Sequence, residues 1–155
     1  MKNLKYLFFF FFILSCGYAP IYQADQNSKI KLDTINFSGN KKIGRSIIKG
    51  IERLKNNKSE NVYDLSFTSL KREGAASKDK KGNISTYKLL IEIDVDLKNK
   101  KNNKVFSKKF TKETTYNSMT NIFELNQYKL NLEKNMISQI LQDINIYLNM
   151  IRNDL

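Results

Sequence analysis

Polar and apolar residues follow two periods along this chain, and each change of period marks a new element. Ile30 and Leu32 alternate with Lys31 and Asp33, and Ile35 and Phe37 continue after a phase shift near Thr34, which predicts a strand over 29–37. Ser38-Gly39-Asn40 supplies turn and cap residues. From 41 to 56, Ile43, Ile47, Ile51 and Leu54 recur at helical spacing. Gly44 and Gly50 each weaken that helix by up to about 1 kcal/mol relative to alanine, so tertiary packing must hold it.

Alternation returns over 62–70, with Tyr63, Leu65 and Phe67 on one face. The stretch 71–83 carries Gly74, Ala75, Ala76, Ser77 and Gly82 among its lysines and reads as a flexible basic loop. The clearest strand is 84–97, where Tyr87, Leu89, Ile91, Ile93, Val95 and Leu97 keep a strict period of two. A polar turn over 98–104 leads to another strand over 105–116, with Phe106, Phe110 and Tyr116 in phase. Asn121 and Glu124 have capping-box spacing. Beyond them Leu125, Leu132, Met136, Ile140, Ile144, Leu148 and Ile151 mark one face of a long amphipathic helix, widened by Tyr128, Ile137, Leu141 and Tyr147.

The predicted order is β-α-β-β-β-α. Its simplest realisation is an α+β two-layer sandwich, a four-stranded mixed sheet with two helices on one face. The first strand–helix–strand step is a right-handed crossover if its strands are parallel neighbours, and the rest is an antiparallel meander.

The N-terminus has a different character. Lys2 and Lys5 precede a wholly apolar run, 7–14, with five consecutive Phe. Basic residues, a short apolar run and a small residue are the layout of a cleaved signal peptide, here 1–15. A spanning helix needs about 20 apolar residues and this run is less than half that. Ile13-Leu14-Ser15-Cys16-Gly17 resembles a bacterial lipobox, which implies a thioether-linked diacylglyceryl group on Cys16, cleavage before it and acylation, for example with palmitate, of the new amine. Lipidation also gives the single cysteine of this chain a use. Two or more chains are needed for a stable anchor. The expected organisation is therefore a signal peptide, a lipidated tether over 16–28 and one domain over 29–155.

Composition then narrows the chemistry. The net charge of +12 invites a nucleic-acid reading. Removing the signal peptide takes two lysines and no acid, which leaves +10, and export takes nucleic acid out of reach. With no His and one Cys there is no Ser-His-Asp triad, no imidazole metal site and no zinc cluster. No phosphate-loop spacing surrounds Gly39 or Gly44. Asp94 and Asp96 alternate on the solvent side of a strand, where acids serve solubility. The expectation is a non-enzymatic protein with no metal and no cofactor beyond its covalent lipid.

Residues 71–112 hold thirteen Lys or Arg against five acids, a net +8. That concentration suggests an anion-binding rim for a lipid phosphate or an acidic partner, with Lys71, Arg72, Lys78, Lys80 and Lys81 as candidates. Arg72 offers bidentate geometry for phosphate. The plainer alternative is a solvated lysine-rich surface.

The opening Cys16-Gly17-Tyr18-Ala19-Pro20-Ile21-Tyr22 resembles that of the LPS-assembly lipoprotein LptE family. The element order, Thr115-Tyr116 at a strand end and Ile137-Ser138-Gln139-Ile140 in the last helix are similar too. The last helix departs in being rich in Asn, Ile and Met. The resemblance implies a two-helix, four-stranded domain anchored at the periplasmic face of the outer membrane of a Gram-negative bacterium. It also implies a plug-like partnership with the barrel protein LptD and binding of lipopolysaccharide on its way to the cell surface. A structural or pilot lipoprotein escorting another envelope complex, without lipid binding, is the alternative.

Overall fold

In the computed structural model, residues 30–52 and 61–153 are described. The signal peptide, Cys16, the tether and Leu54 lie outside the described residues. Six elements follow the predicted order: β1 (Ile30–Gly39), α1 (Lys41–Glu52), β2 (Asn61–Lys78), β3 (Ile84–Asn99), β4 (Val105–Asn117) and α2 (Ile122–Asn153). They form an α+β fold, a four-stranded mixed sheet in the order β1-β2-β3-β4 with two helices. β1 pairs parallel with β2, and β2, β3 and β4 are antiparallel. The phase shift near Thr34 is a register irregularity between Leu32 and Ile35, which returns Ile35 and Phe37 to the face of Leu65 and Phe67.

Period-two burial explains why the helices lie where they do. Tyr63, Leu65 and Phe67 on β2, with Leu89, Ile91, Ile93, Val95 and Leu97 on β3, are buried, while Ser66, Thr68, Asp94 and Asp96 between them are exposed. Only one sheet face is therefore dry, and both helices cover it. Ile43, Ile47 and Ile51 of α1 and Ile140 and Ile144 of α2 are completely buried in the same core.

Both helices start on side-chain caps. Asn40 Oδ1 accepts the backbone N–H of Lys42 and Ile43, each at 3.1 Å. Asn121 Oδ1 accepts those of Phe123 at 3.0 Å and Glu124 at 3.4 Å, and its amide donates to Glu124 Oε1 at 3.1 Å. The two glycines that weaken α1 are close-approach positions. A Cβ on Gly44 would stand 2.3 Å from the Phe37 ring, and one on Gly50 would stand 2.6 Å from the Leu141 side chain of α2.

One expectation is corrected. The stretch 71–83 is not a flexible loop, because β2 runs on to Lys78 and pairs with β3, regularly as far as Ala75 and with register irregularities on either side of Ser77. Only 79–83 turns: Asp79 Oδ1 accepts the N–H of Lys81 at 2.8 Å and of Asn83 at 2.9 Å, and Gly82 takes φ +85. The end of this hairpin is exposed on both sides, so no core enforces alternation and its small residues resemble loop composition. β1, in contrast, stops at Gly39 opposite Ser69, so β2 continues for nine more residues without a neighbour on that side among the described residues.

Gly39, at φ +90, is the sharp turn from β1 into α1, and a Cβ there would stand 2.0 Å from the Ser69 carbonyl oxygen. Gly39→Ala should cost about 2 kcal/mol or more. Gly74→Ala, whose Cβ would meet nothing within 4 Å, should be neutral or stabilising by up to about 1 kcal/mol. Urea midpoints of the two variants check the contrast.

Candidate functional site

Alternation along β2 sends consecutive side chains to opposite faces, and this divides the predicted basic rim. Lys71 points to the helix side and Arg72 to the open side. Lys71 Nζ donates to Glu133 Oε2 of α2 at 2.6 Å, and Lys42 of α1 reaches Glu133 Oε1 at 3.1 Å. Glu133 is only 3% exposed. One buried carboxylate thus ties β2, α1 and α2 together, and Lys71 is one of its two counter-ions. Burial pushes the Glu133 carboxyl up, but the hydrogen bonds and charges of Lys71 and Lys42 outweigh that and hold its pKa below the usual 4.5.

A second tie lies one turn earlier on α2. Glu73 Oε2 accepts from Lys129 at 2.6 Å, and Glu73 Oε1 accepts the Tyr116 hydroxyl at 2.5 Å. Burial again opposes ionisation, and Lys129 and Tyr116 override it, so the Glu73 pKa is also lowered. Burial first, and then the bond to Glu73, raise the Tyr116 hydroxyl. Towards the C-terminal part of α2, Lys112 pairs with Asp143 at 2.8 Å, and Lys108 Nζ lies over the rings of Tyr147 at 5.0 Å and Phe110 at 5.7 Å.

Much of the +8 is therefore engaged inside the fold. Lys88 pairs with Glu113, Lys100 with Asp33 and Asp64, and Lys109 with Glu92 and Asp94, while Lys104 lies over Phe106. Arg72, Lys78, Lys80 and Lys81 are exposed and form no ion pair among the described residues. Three of them cluster at the hairpin tip, and Arg72 lies about 20 Å back along the strand at about 3.3 Å per residue. The five candidates do not make one site. Lys71 belongs to an internal ion pair, Arg72 to the open sheet face and the other three to the tip. Nothing in the sequence announced Glu133 as the partner of Lys71, because the pairing spans 62 residues.

Beside the internal pair lies an open cleft of about 330 Å³. Asn40 and Lys42 at the start of α1, Lys71 of β2, and Asn126, Lys129, Leu130 and Glu133 along α2 line it. Among the described residues, no cluster of His, Cys, Asp or Glu could hold a metal ion, and no helix is long and apolar enough to cross a membrane.

The same architecture occurs in solved lipoprotein structures. A provisionally named lipoprotein of Caulobacter crescentus CB15 matches with a TM-score of 0.57 at 14% identity, over 81% of this chain and 92% of that one. A minor lipoprotein of Acinetobacter baumannii gives 0.54 at 13%, over 82% and 94%. An uncharacterized lipoprotein B of Nitrosomonas europaea gives 0.52 at 15%, over 81% and 86%. At these identities the fold is what is shared. No family model and no curated protein matches the sequence.

Replacing Lys71 by Glu would set two carboxylates together in a buried position. Lys71→Glu should therefore destabilise the domain by about 3–5 kcal/mol. Because Glu133 is depressed in the folded state, its contribution is present above its unfolded pKa near 4.5 and lost as pH falls through the lower folded value. Glu133→Gln should be less stable than wild type at neutral pH and show a shallower loss below about pH 4.5, as read from urea unfolding across pH.

Proposed function

We propose that this chain is a lipid-anchored protein at the periplasmic face of the outer membrane, where it assists assembly of an LptD-like barrel as its plug and binds lipopolysaccharide on its way to the surface. The observation that carries the reading is the joining of two features in one chain. The fold is shared with solved lipoproteins, and the sequence opens Cys16-Gly17-Tyr18-Ala19-Pro20-Ile21-Tyr22 behind a signal-peptide layout. The proposed modification is a diacylglyceryl thioether on Cys16 with an acylated amine, and no cofactor or covalent catalysis is required.

The exposed cations support an anionic lipid as ligand. Lys78, Lys80 and Lys81 sit on a turn whose single acid, Asp79, is occupied in closing the turn itself. Asp79 is held below its usual pKa, chiefly by the Asn83 N–H, and stays ionised as a structural acceptor. Lysines near an anionic lipid surface each add attraction that falls off within a Debye length. Arg72 is the fourth candidate, and Lys71 is withdrawn from direct lipid contact by its bond to Glu133.

Two experiments test the proposal. Detergent-extracted wild type should have the intact mass of a chain beginning at an acylated Cys16 and should retain the LptD-like barrel. Cys16→Ser should lose the acyl mass and the anchorage, while retention of a secretin instead would favour the pilot alternative. Combined Lys78→Glu, Lys80→Glu and Lys81→Glu should weaken lipopolysaccharide binding by about tenfold or more at low salt with an unchanged unfolding midpoint. Unchanged binding in that variant would remove the tip from the site.

A further inference from the structure

The dry face of the sheet has two unequal halves. Where β1 pairs with Asn61–Ser69 of β2, α1 and α2 lie side by side above it. Beyond Gly39 both β1 and α1 have ended, yet β2 continues from Leu70 to Lys78 and α2 still passes overhead, tied down through Lys71–Glu133 and Glu73–Lys129. Among the described residues, no strand pairs with β2 in the lane beyond β1 over nine positions, about 30 Å at 3.3 Å per residue. The open cleft under α2 adjoins that same lane, with Lys42, Lys71 and Lys129 on its walls and Leu130 45% exposed at its side.

We propose that this lane is a recognition groove for an extended, acidic β-strand of a partner protein, added to the sheet along 70–78. A paired strand leaves alternate N–H and C=O groups of β2 directed away from β3, and only another polypeptide strand repeats donors and acceptors at that spacing. Ordinary edges of this kind are blocked by bulky charge, a covering element or short length. Here Gly74 and Ala75 leave the middle of the edge without bulky side chains, a Cβ on Gly74 would meet nothing within 4 Å, and the register irregularities of β2 fall only after Ala75.

Charge fixes the character of the strand. On the cleft side its inward side chains meet Lys42, Lys71 and Lys129, three cations against Glu133 and Glu73. Its outer side chains lie on the same face as Leu70 and Arg72 of β2. Alternation puts every carboxylate of such a strand on the cleft side, where one positive charge is in excess, and every aliphatic residue on the outer face against Leu70, which is 38% exposed. This surface is separate from the lysines at the tip, so it stands whether or not the tip binds lipid.

The test is hydrogen exchange, read by mass spectrometry, on the purified full-length chain. The probe is a nonapeptide of alternating Val and Glu. At saturation it should slow exchange over 70–78 by about tenfold or more. The same peptide N-methylated at alternate residues, or carrying Lys in place of Glu, should not. Lys42→Gln, at the cleft wall where the side chain is 63% exposed, should weaken binding of the Val-Glu peptide, and unchanged binding would overturn the charge assignment. Equal protection by the N-methylated peptide would overturn strand addition in favour of simple charge binding. Protection of 70–78 that rises with protein concentration alone would assign the lane to a second copy of this chain, which also overturns the proposal.

Discussion

The β2–β3 hairpin is much longer than the elements laid against it, and the rest of the molecule is arranged around that mismatch. Eighteen and sixteen residues of strand lie beside a β1 of ten and under an α1 of twelve. Over the shared length, two helices seal one face and the core is conventional, with isoleucines of α1 over β1 and β2 and those of α2 over β3 and β4. Past Gly39 only α2 remains, above Leu89, Ile91 and Tyr116, which stay buried there. Carboxylate–ammonium pairs are added to that apolar packing: Glu133 with Lys71 and Lys42, and Glu73 with Lys129.

These pairs give the electrostatics a meaning that net charge alone does not. A chain with a large positive excess is expected to spread its cations over the surface. This one places several lysines on the helix-facing side of the sheet and matches each to an acid or an aromatic ring of α2, as with Lys112 and Asp143 or Lys108 and Tyr147. Half-exposed pairs of this kind add little net stability compared with apolar packing, but they favour the register that matches each charge. They therefore position α2 lengthwise on the sheet, a degree of freedom that a smooth stripe of isoleucine leaves loose.

The element order, the one-sided sheet, the irregularity near Thr34 and both asparagine caps were legible in the sequence, because each is a local signal of period or capping. What was not legible follows from distance and from exposure. The strand character of 72–78 is set by pairing with β3, and with neither face buried it leaves no alternation to read. The partner of Lys71 is 62 residues away. Adjacent in sequence, Lys71 and Arg72 looked like one basic site, but the pleat sends them to opposite faces. Gly44 and Gly50 looked like flaws in a helix and are the places where Phe37 and Leu141 come closest.

The position of α2 at the end of the chain also bears on how the protein is made. β2, β3 and β4 are joined by short turns, so their antiparallel ladder closes from local contacts, whereas β1 must reach β2 across the whole of α1. That ladder alone has one apolar face and nothing over most of it until the last thirty or so residues have been synthesised. A nascent chain of this design is therefore competent to pair strands long before it can bury them. In that interval its solubility depends on whatever shields Leu89, Ile91, Ile93 and Val95 until α2 arrives.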